Sequence, residues 1–473
     1  MKDIGKSNLS LKETMALLPP LWDENLLPQI QEEIKQFPTE VFVLDDDPTG
    51  AQTVRDVAVL TDWSLDALLR EFDTPEKATF VLTNSRSKPV DEACNINRAV
   101  GINLLSVSHS KKKPITVISR SDSTLRGHFP EEVDALSEAM GSEYDVLLFI
   151  PYFAEGGRYT INNIQYVLEE DTLIPAGDTP YAKDSAFGYK SSDLCEWIEE
   201  KTKKDIKATE VATISIDEIR LKGPEFVEQK LKSLPKGSVC VVNAADMTDL
   251  HVVALGVIRA EKSGRIFLTR SSASFVKARI GQGDYDLLTR SEMSESEVGG
   301  ALILVGSHVP GSTRQLEEVL KIPGMNGIEL KVSEVVDGFD VVSPIVAEVD
   351  LLLERSKDVT IYTSREVLTG KTPEDYLEIG ARVTDAMTDI VRRLTVQPRY
   401  IVSKGGMTSS NVTTNGLGMI RSLVPGQILP GVLVLQMGPE SKYPDSRLVL
   451  FPGNVGGATA IADVIGIMNF PEN

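Results

Sequence analysis

The chain has 473 residues, 41% of them hydrophobic and 25% charged, with a formal net charge of −20 at pH 7. That length accommodates two or three domains, each able to bury its own core. The acidic balance argues against nucleic acid and anionic membrane as partners, since both bind basic surfaces, but leaves room for a small anion held by a local group of Arg, Lys and backbone N–H donors.

No apolar stretch is long enough to span a bilayer, and residues 1–36 lack the basic-then-apolar pattern of a secretory signal, so a cytoplasmic protein is expected. The three cysteines, Cys94, Cys195 and Cys240, lie far apart and read as free thiols in a reducing compartment. No two of the four histidines are close in sequence, which argues against a His-based metal centre.

Residues 1–36 read as a peripheral helical extension broken at Pro19-Pro20. Apolar runs then recur at Val41–Leu44, Thr79–Thr83, Ile115–Ser119, Val146–Ile150, Val211–Ser215 and Val239–Val242. Helix-compatible stretches such as Ser64–Phe72, Asp91–Ser106 and Pro130–Ala139 separate most of them. This alternation predicts a largely parallel sheet covered on both faces. The runs lead into Asp45-Asp46-Asp47, Asn84 to Ser87, Arg120 to His128, Pro151-Tyr152-Phe153 and Asn243 to Asp246. In open α/β sheets ligands bind just beyond the carboxyl ends of strands. Turn chemistry alone accounts for Asn243 or Ser87. It does not account for two Arg, an Asp and three hydroxyls packed into Arg120–Arg126.

A serine-rich acidic stretch, Ser291 to Glu297, marks a domain boundary, giving an extension over 1–36, one α/β domain over 37–290 and another over 300–473. In the second, Ala301–Val305 leads into Gly306-Ser307-His308 and a helix bearing Leu316, Val319 and Leu320. The glycine spacing mimics a P-loop, but Ser312 stands where that motif needs Lys. A helix opening at Thr372-Pro373 buries Tyr376, Ile379, Val383, Ala386, Ile390 and Leu394. Strand Tyr400–Ser403 then runs into Lys404-Gly405-Gly406-Met407-Thr408, and strand Leu448–Phe451 into Pro452-Gly453-Asn454-Val455-Gly456-Gly457, which opens the last helix. Glycines and hydroxyls between a strand and a helix suit phosphate oxygens, because the backbone can approach closely and its N–H groups point at the anion.

Two carboxylates about 4 Å apart repel by roughly 4 kcal/mol at an effective dielectric near 20. Asp45, Asp46 and Asp47 therefore need a counter-charge, or one must be neutral or turn to solvent. Arg120 and Arg126, a Mg²⁺ ion, or substrate hydroxyls could each supply the balance. Strand alternation would send Asp45 and Asp47 to one side and Asp46 to the other.

Taken together, Asp46-Asp47-Pro48-Thr49-Gly50, Asp122-Ser123-Thr124-Leu125-Arg126-Gly127, Gly306-Ser307 and the two later glycine turns resemble the four-carbon acid sugar kinases. That family phosphorylates threonate, erythronate and their oxidised relatives with ATP. The resemblance implies two three-layer α/β domains, the first with a mostly parallel sheet, and a cleft between them. It implies that Asp46, Asp47, Arg86, Asp122, Ser123 and Arg126 face the sugar acid, with Asp45, Thr49, Gly50, Arg120, Thr124 and Gly127 completing that side. Ser307, Ser364, Gly405, Gly406, Met407, Thr408, Gly453, Asn454 and Gly456 would hold the nucleotide. Pro48 stands where the family usually has an aromatic residue and Asp45 is an added acid, so a branched or five-carbon acid fits as well as a four-carbon one.

The expected activity is ATP- and Mg²⁺-dependent phosphorylation of a sugar-acid hydroxyl, with Asp46 and Asp47 as catalytic residues and Asp47 the preferred base. The substrate carboxylate would pair with Arg126 or Arg120. A homodimer is the default assembly. Two alternatives remain: a haloacid-dehalogenase-type phosphatase using Asp45 and Asp47, and a non-catalytic sugar-acid sensor.

Overall fold

The structure is a computed structural model that describes residues 8–47, 50–72, 74–141, 144–293, 299–307, 309–365, 373–452 and 455–469, the side chains of 373–377 and 407 excepted. The chain forms two compact units, one of Met1–Val54 with Asp62–Tyr285 and one of Arg55–Thr61 with Asp286–Asn473.

In chain order the first half supplies β1 (Leu9–Ser10), β2 (Glu40–Asp45), β3 (Val57–Leu60), β4 (Thr79–Leu82), β5 (Ile115–Arg120) and β6 (Val146–Ile150). There follow β7 (Arg158–Ile161), β8 (Ile164–Glu169), β9 (Thr172–Pro175), β10 (Ala212–Ile214), β11 (Ser238–Val242) and β12 (Phe267–Ser271). The first unit's main sheet runs β10-β11-β6-β12-β5-β2-β4, and every pairing is parallel. Its strands are buried on both faces and so read as continuous apolar runs; Val43, Ile118 and Leu148 are wholly enclosed. Capped helices make the crossovers. Ser64 Oγ accepts from Ala67 N at 3.3 Å, and Ser215 and Glu218 form a capping box.

The sequence reading misses three features here. β12 lies between β6 and β5, yet Thr269-Arg270-Ser271 breaks its apolar run. A small antiparallel sheet, β1-β9-β8-β7, also goes unpredicted. The N-terminal segment is not wholly helical: Leu9 pairs with Leu173 of β9 and packs on a cluster of Ile161, Tyr166 and Leu173 before helices Leu11–Leu17 and Leu27–Gln36. A two-residue strand is too short to leave a periodic signal.

The second unit adds β13 (Leu302–Val305), β14 (Asn326–Leu330), β15 (Val359–Thr363), β16 (Ile401–Lys404), β17 (Arg421–Leu429), β18 (Val432–Met437) and β19 (Arg447–Phe451). β19-β16-β13-β15-β14 is parallel, and β18, β17 and β3 extend it antiparallel. Along the helix Pro373–Arg393 the described buried side chains are Thr384, Met387, Thr388, Ile390 and Val391, with Leu394 buried just beyond its end, whereas Ile379, Val383 and Ala386 are half-buried. Thr388 can face the core because its Oγ1 donates to Thr384 O at 2.8 Å. Thr372 and the Tyr376 side chain lie outside the described residues. Among the described residues no helix is long and apolar enough to cross a membrane.

Candidate functional site

In the first unit the parallel register of β2 and β5 sets Asp45 beside Arg120 at the carboxyl ends of both strands. Arg120 Nη1 donates to Asp45 Oδ1 at 2.9 Å and stands 3.6 Å from Asp46 Oδ1. Asp46 Oδ2 accepts from Ser121 Oγ at 2.8 Å. Arg86, from the turn after β4, reaches the other side. Its guanidinium pairs directly with Asp47 and lies 3.7 Å from Asp46 Oδ1 and 3.8 Å from Asp122 Oδ2. The expected strand alternation does not operate, because β2 ends at Asp45 and the next two residues bend. All three aspartates instead meet arginines.

The counter-charge comes from Arg120 and Arg86. Arg126 does not share in it: its Nε donates to Asp122 Oδ2 at 2.7 Å, and its Nη1 lies 3.9 Å from Asp184. Asp45 and Asp46 are buried, each 3% exposed, whereas the Asp47 side chain is 28% exposed. Burial pushes the Asp45 carboxyl up to about 7 against the pull of Arg120. Burial also raises Asp46, against Arg86 and Arg120. At Asp122 burial acts upward too, but Arg86 and Arg126 outweigh it and hold the group down to about 2. Arg86 and Arg120 are held above the usual guanidinium range: burial lowers them, and the surrounding aspartates more than compensate. Asp46 Oδ1 is buried without a hydrogen bond, so the cluster keeps one unsatisfied acceptor.

Gly50 closes the floor. A Cβ built there would stand 1.9 Å from Asp45 Oδ2. Gly50→Ala should therefore displace the Asp45–Arg120 pair and cost about 1–3 kcal/mol as overpacking, read as a lower melting temperature. Thr49 lies outside the described residues.

The loop after β5 is fastened from several sides. Thr124 N donates to Asp122 Oδ1 at 3.2 Å, and the Thr124 hydroxyl also bonds Asp122. Tyr189 OH donates to Thr124 O at 2.8 Å, and Gln165 Nε2 to Ser123 O at 2.8 Å. Gly127 has φ +127°, and a Cβ there would lie 2.9 Å from Arg270 Nη2. Trp197 stacks on Phe129 behind the loop, their centroids 5.0 Å apart. Arg126 remains partly exposed, its Cζ 5.0 Å from the Tyr181 ring centroid. His128 Nε2 bonds Lys88 O at 2.9 Å, which makes it a loop fastener; His308 lies outside the described residues. Asn243 is likewise structural, with Nδ2 bonded to Asn163 Oδ1 and Ile214 O.

Arg270 and Glu132 escape sequence reasoning. Arg270 Nη1 donates to Glu132 Oε2 at 3.0 Å and Ser119 Oγ at 2.8 Å, a buried pair directly beneath Gly127. The apolar run before Arg270, Ile266-Phe267-Leu268, is too short to mark the strand that carries it.

In the second unit three parallel strand ends carry the predicted turns. Gly306 N donates to Lys404 O at 3.2 Å and Gly405 N to Phe451 O at 3.0 Å, so the turns after β13, β16 and β19 adjoin. A Cβ at Gly306 would lie 2.0 Å from Thr408 Oγ1, and one at Gly405 3.3 Å from Ser307 Cβ. Ser307 Oγ bonds Ser312 Oγ at 3.1 Å. Ser364 directly follows β15, but its hydroxyl donates to Glu329 Oε1 at 2.7 Å and accepts from Val332 N at 3.2 Å. Two cations that sequence reasoning left out of the site stand here. Lys404 is wholly buried, and burial brings its amine down to about 8. Arg365 donates to Thr363 O and Ser307 O, both at 2.9 Å. Gly453, Asn454 and the Met407 side chain lie outside the described residues. Tight glycine turns with cations tied to carbonyls rather than carboxylates fit a polyphosphate. Among the described residues no group of three His, Cys, Asp or Glu side chains is arranged to hold a metal ion.

An acidic and arginine-rich sugar-type site in one α/β unit and a phosphate-type site in another define a two-domain ligand-handling protein. Residues 41–279 match the family model for a sugar-binding N-terminal domain, and residues 302–461 that for a nucleotide-binding C-terminal domain. The chain belongs to the family with this architecture, that of the four-carbon acid sugar kinases. Its fold is similar to that of Haemophilus influenzae protein HI1011 of the DUF1537 family, at 18% identity and TM-score 0.65, covering 90% of this chain and 100% of that one. A Salmonella typhimurium LT2 protein whose name proposes a tRNA synthase is similar at 15% identity and TM-score 0.66, covering 90% of this chain and 98% of that one. No curated protein matches the chain.

Proposed function

We propose that the protein is an ATP-dependent kinase for a hydroxyl of a small sugar acid: threonate, erythronate, 3-oxo-tetronate, or a related branched or five-carbon acid. The observation that carries this reading is the partly exposed Asp47 carboxylate, held by Arg86 next to buried Asp46, in a sugar-binding domain followed by a nucleotide-binding one. Substrate hydroxyls bond Asp46 and Asp47. Asp47 takes the proton of the attacking hydroxyl as the terminal phosphoryl group of ATP passes to that oxygen and ADP leaves. Arg126, rather than the enclosed Arg120, pairs with the substrate carboxylate. Asp45 and Arg120 act behind these groups as positioning residues. Gly306, Ser307, Gly405, Gly406, Thr408 and Gly456 line the phosphates, and Mg²⁺ accompanies the nucleotide. The reading carries with it a cytoplasmic homodimer.

The phosphatase alternative needs Asp45 as an accessible nucleophile. Its 3% exposure and the close packing of Gly50 weigh against that. The test is to mix the protein with Mg²⁺, ATP and a panel of sugar acids. ADP release that depends on the acid is expected. Phosphate release from sugar phosphates without ATP would instead favour the phosphatase.

Gly406→Ala separates ligand contact from folding. A Cβ there meets nothing within 4 Å, so melting should be unchanged while ATP affinity falls about tenfold, as titration with a non-hydrolysable analogue would show.

A further inference from the structure

The turn that follows β19 is held from one side by two buried side chains. Gln315, 1% exposed on the helix Pro310–Leu320, directs Nε2 at three successive carbonyls: Val455 O at 3.1 Å, Gly456 O at 3.1 Å and Gly457 O at 2.9 Å. Lys404 Nζ donates to Val455 O at 3.2 Å and to Pro452 O at 2.6 Å, with its ammonium 4.3 Å from the Phe451 ring centroid. Among the described residues no carboxylate pairs with Lys404.

A trans peptide is planar, so its N–H points opposite to its C=O. The cis bond among the described residues is Phe129-Pro130, which belongs to the first unit and not to this turn. Drawing the carbonyls of Val455, Gly456 and Gly457 inward therefore turns the N–H groups of Gly456, Gly457 and Ala458 outward. Those three residues are exposed, and among the described residues none of the three N–H groups donates to a protein acceptor. Gly456 has φ +84°, and a Cβ there would lie 2.5 Å from Ala460 Cβ. A left-handed residue inside such a run makes the concave row of donors that binds anions.

We propose that Gln315 and Lys404 are positioning residues that hold the Val455–Gly457 carbonyls so that the following N–H groups grip the phosphate chain of the nucleotide. The inference rests on the nucleotide reading above and adds the device that aims this turn. Gln315 acts through the backbone and touches no ligand. Lys404 fastens the same turn to the end of β16, which coordinates two phosphate-facing turns. With the lysine protonated, the arrangement also adds positive charge beneath the anion.

The test uses the full chain with Mg²⁺ and compares affinity for an ATP analogue, adenosine and a sugar acid. Gln315→Leu keeps the side-chain bulk and removes the amide. It should weaken the ATP analogue about tenfold or more while leaving adenosine and sugar-acid affinity within twofold. A general loosening of the unit would lower adenosine affinity as well, and that result overturns the proposal. Ala458→Pro removes one of the outward N–H groups at an exposed position and should weaken the ATP analogue in the same selective way, so the idea stays testable if Gln315→Leu fails to fold. ATP-analogue affinity unchanged in a folded Gln315→Leu, or in Ala458→Pro, overturns the positioning role alone. A wild-type protein that binds no ATP analogue overturns the nucleotide reading, and this inference with it.

Discussion

Asp47→Asn should lower kcat by about 10²- to 10⁴-fold, the contribution of a positioned proton acceptor. The substitution keeps the size of the side chain and its contact with Arg86 while removing the charge. ATP affinity should stay within twofold, because Asp47 belongs to the sugar-binding domain and not to the nucleotide-binding one. Asp47 is the better base on access: its side chain is 28% exposed, whereas Asp46 is enclosed and already accepts from Ser121 Oγ at 2.8 Å. Asp46→Asn should therefore raise KM for the acid more than it lowers kcat. Steady-state kinetics on both variants, with a direct nucleotide titration, would check the assignment. A variant of Asp47 with full turnover removes it as the base. A protein that binds acid and nucleotide equally well before and after Asp47→Asn, with no turnover in either form, is a sensor.

The parallel sheet of the first unit was legible because its strands are buried on both faces and their apolar runs are continuous; Val146–Ile150 was read to the residue. Strand ends were legible for the same reason, and with them the Asp45–Asp47 and Arg120–Arg126 clusters. The pairing of charges was not. It depends on the register that puts Arg120 opposite Asp45 and on the turn that brings in Arg86, and neither is a local property. β12 escaped because its carboxyl end is polar: Arg270 and Ser271 interrupt the run that would have marked it. The membership of β3 in the second unit was invisible because its partners lie far along the chain, as with Ser422 Oγ donating to Val59 O over 363 residues. Gln315 was hidden similarly, its acceptors lying some 140 residues away on another turn.

Arg86→Leu should destabilise the first unit by about 3–5 kcal/mol, the usual cost of removing one partner from an enclosed ion cluster. The guanidinium is 17% exposed and serves three carboxylates at once, Asp46, Asp47 and Asp122. Without it Asp46 keeps Arg120 and Asp122 keeps Arg126, but each of the three carboxylates loses a cationic neighbour. At roughly 2–4 °C per kcal/mol for a domain of this size, the melting temperature should drop by about 6–20 °C. The loss should depend on pH in a defined direction. Asp122 is held down to about 2, so the stability it contributes is fully present above its unfolded value near 3.8 and disappears as pH falls through about 2. The gap between wild type and Arg86→Leu should accordingly narrow between about pH 4 and pH 2. Asp45 behaves oppositely. Its pKa is raised to about 7, so ionising it in the folded protein costs stability as pH rises from about 4 to 7. Asp45→Asn should flatten that decline while Arg86→Leu leaves it in place. Urea titrations of the three proteins across pH 2 to 8 would separate the two effects. A gap for Arg86→Leu that stays constant down to pH 2 would show that Asp122 draws its low pKa from Arg126 and the loop, not from Arg86.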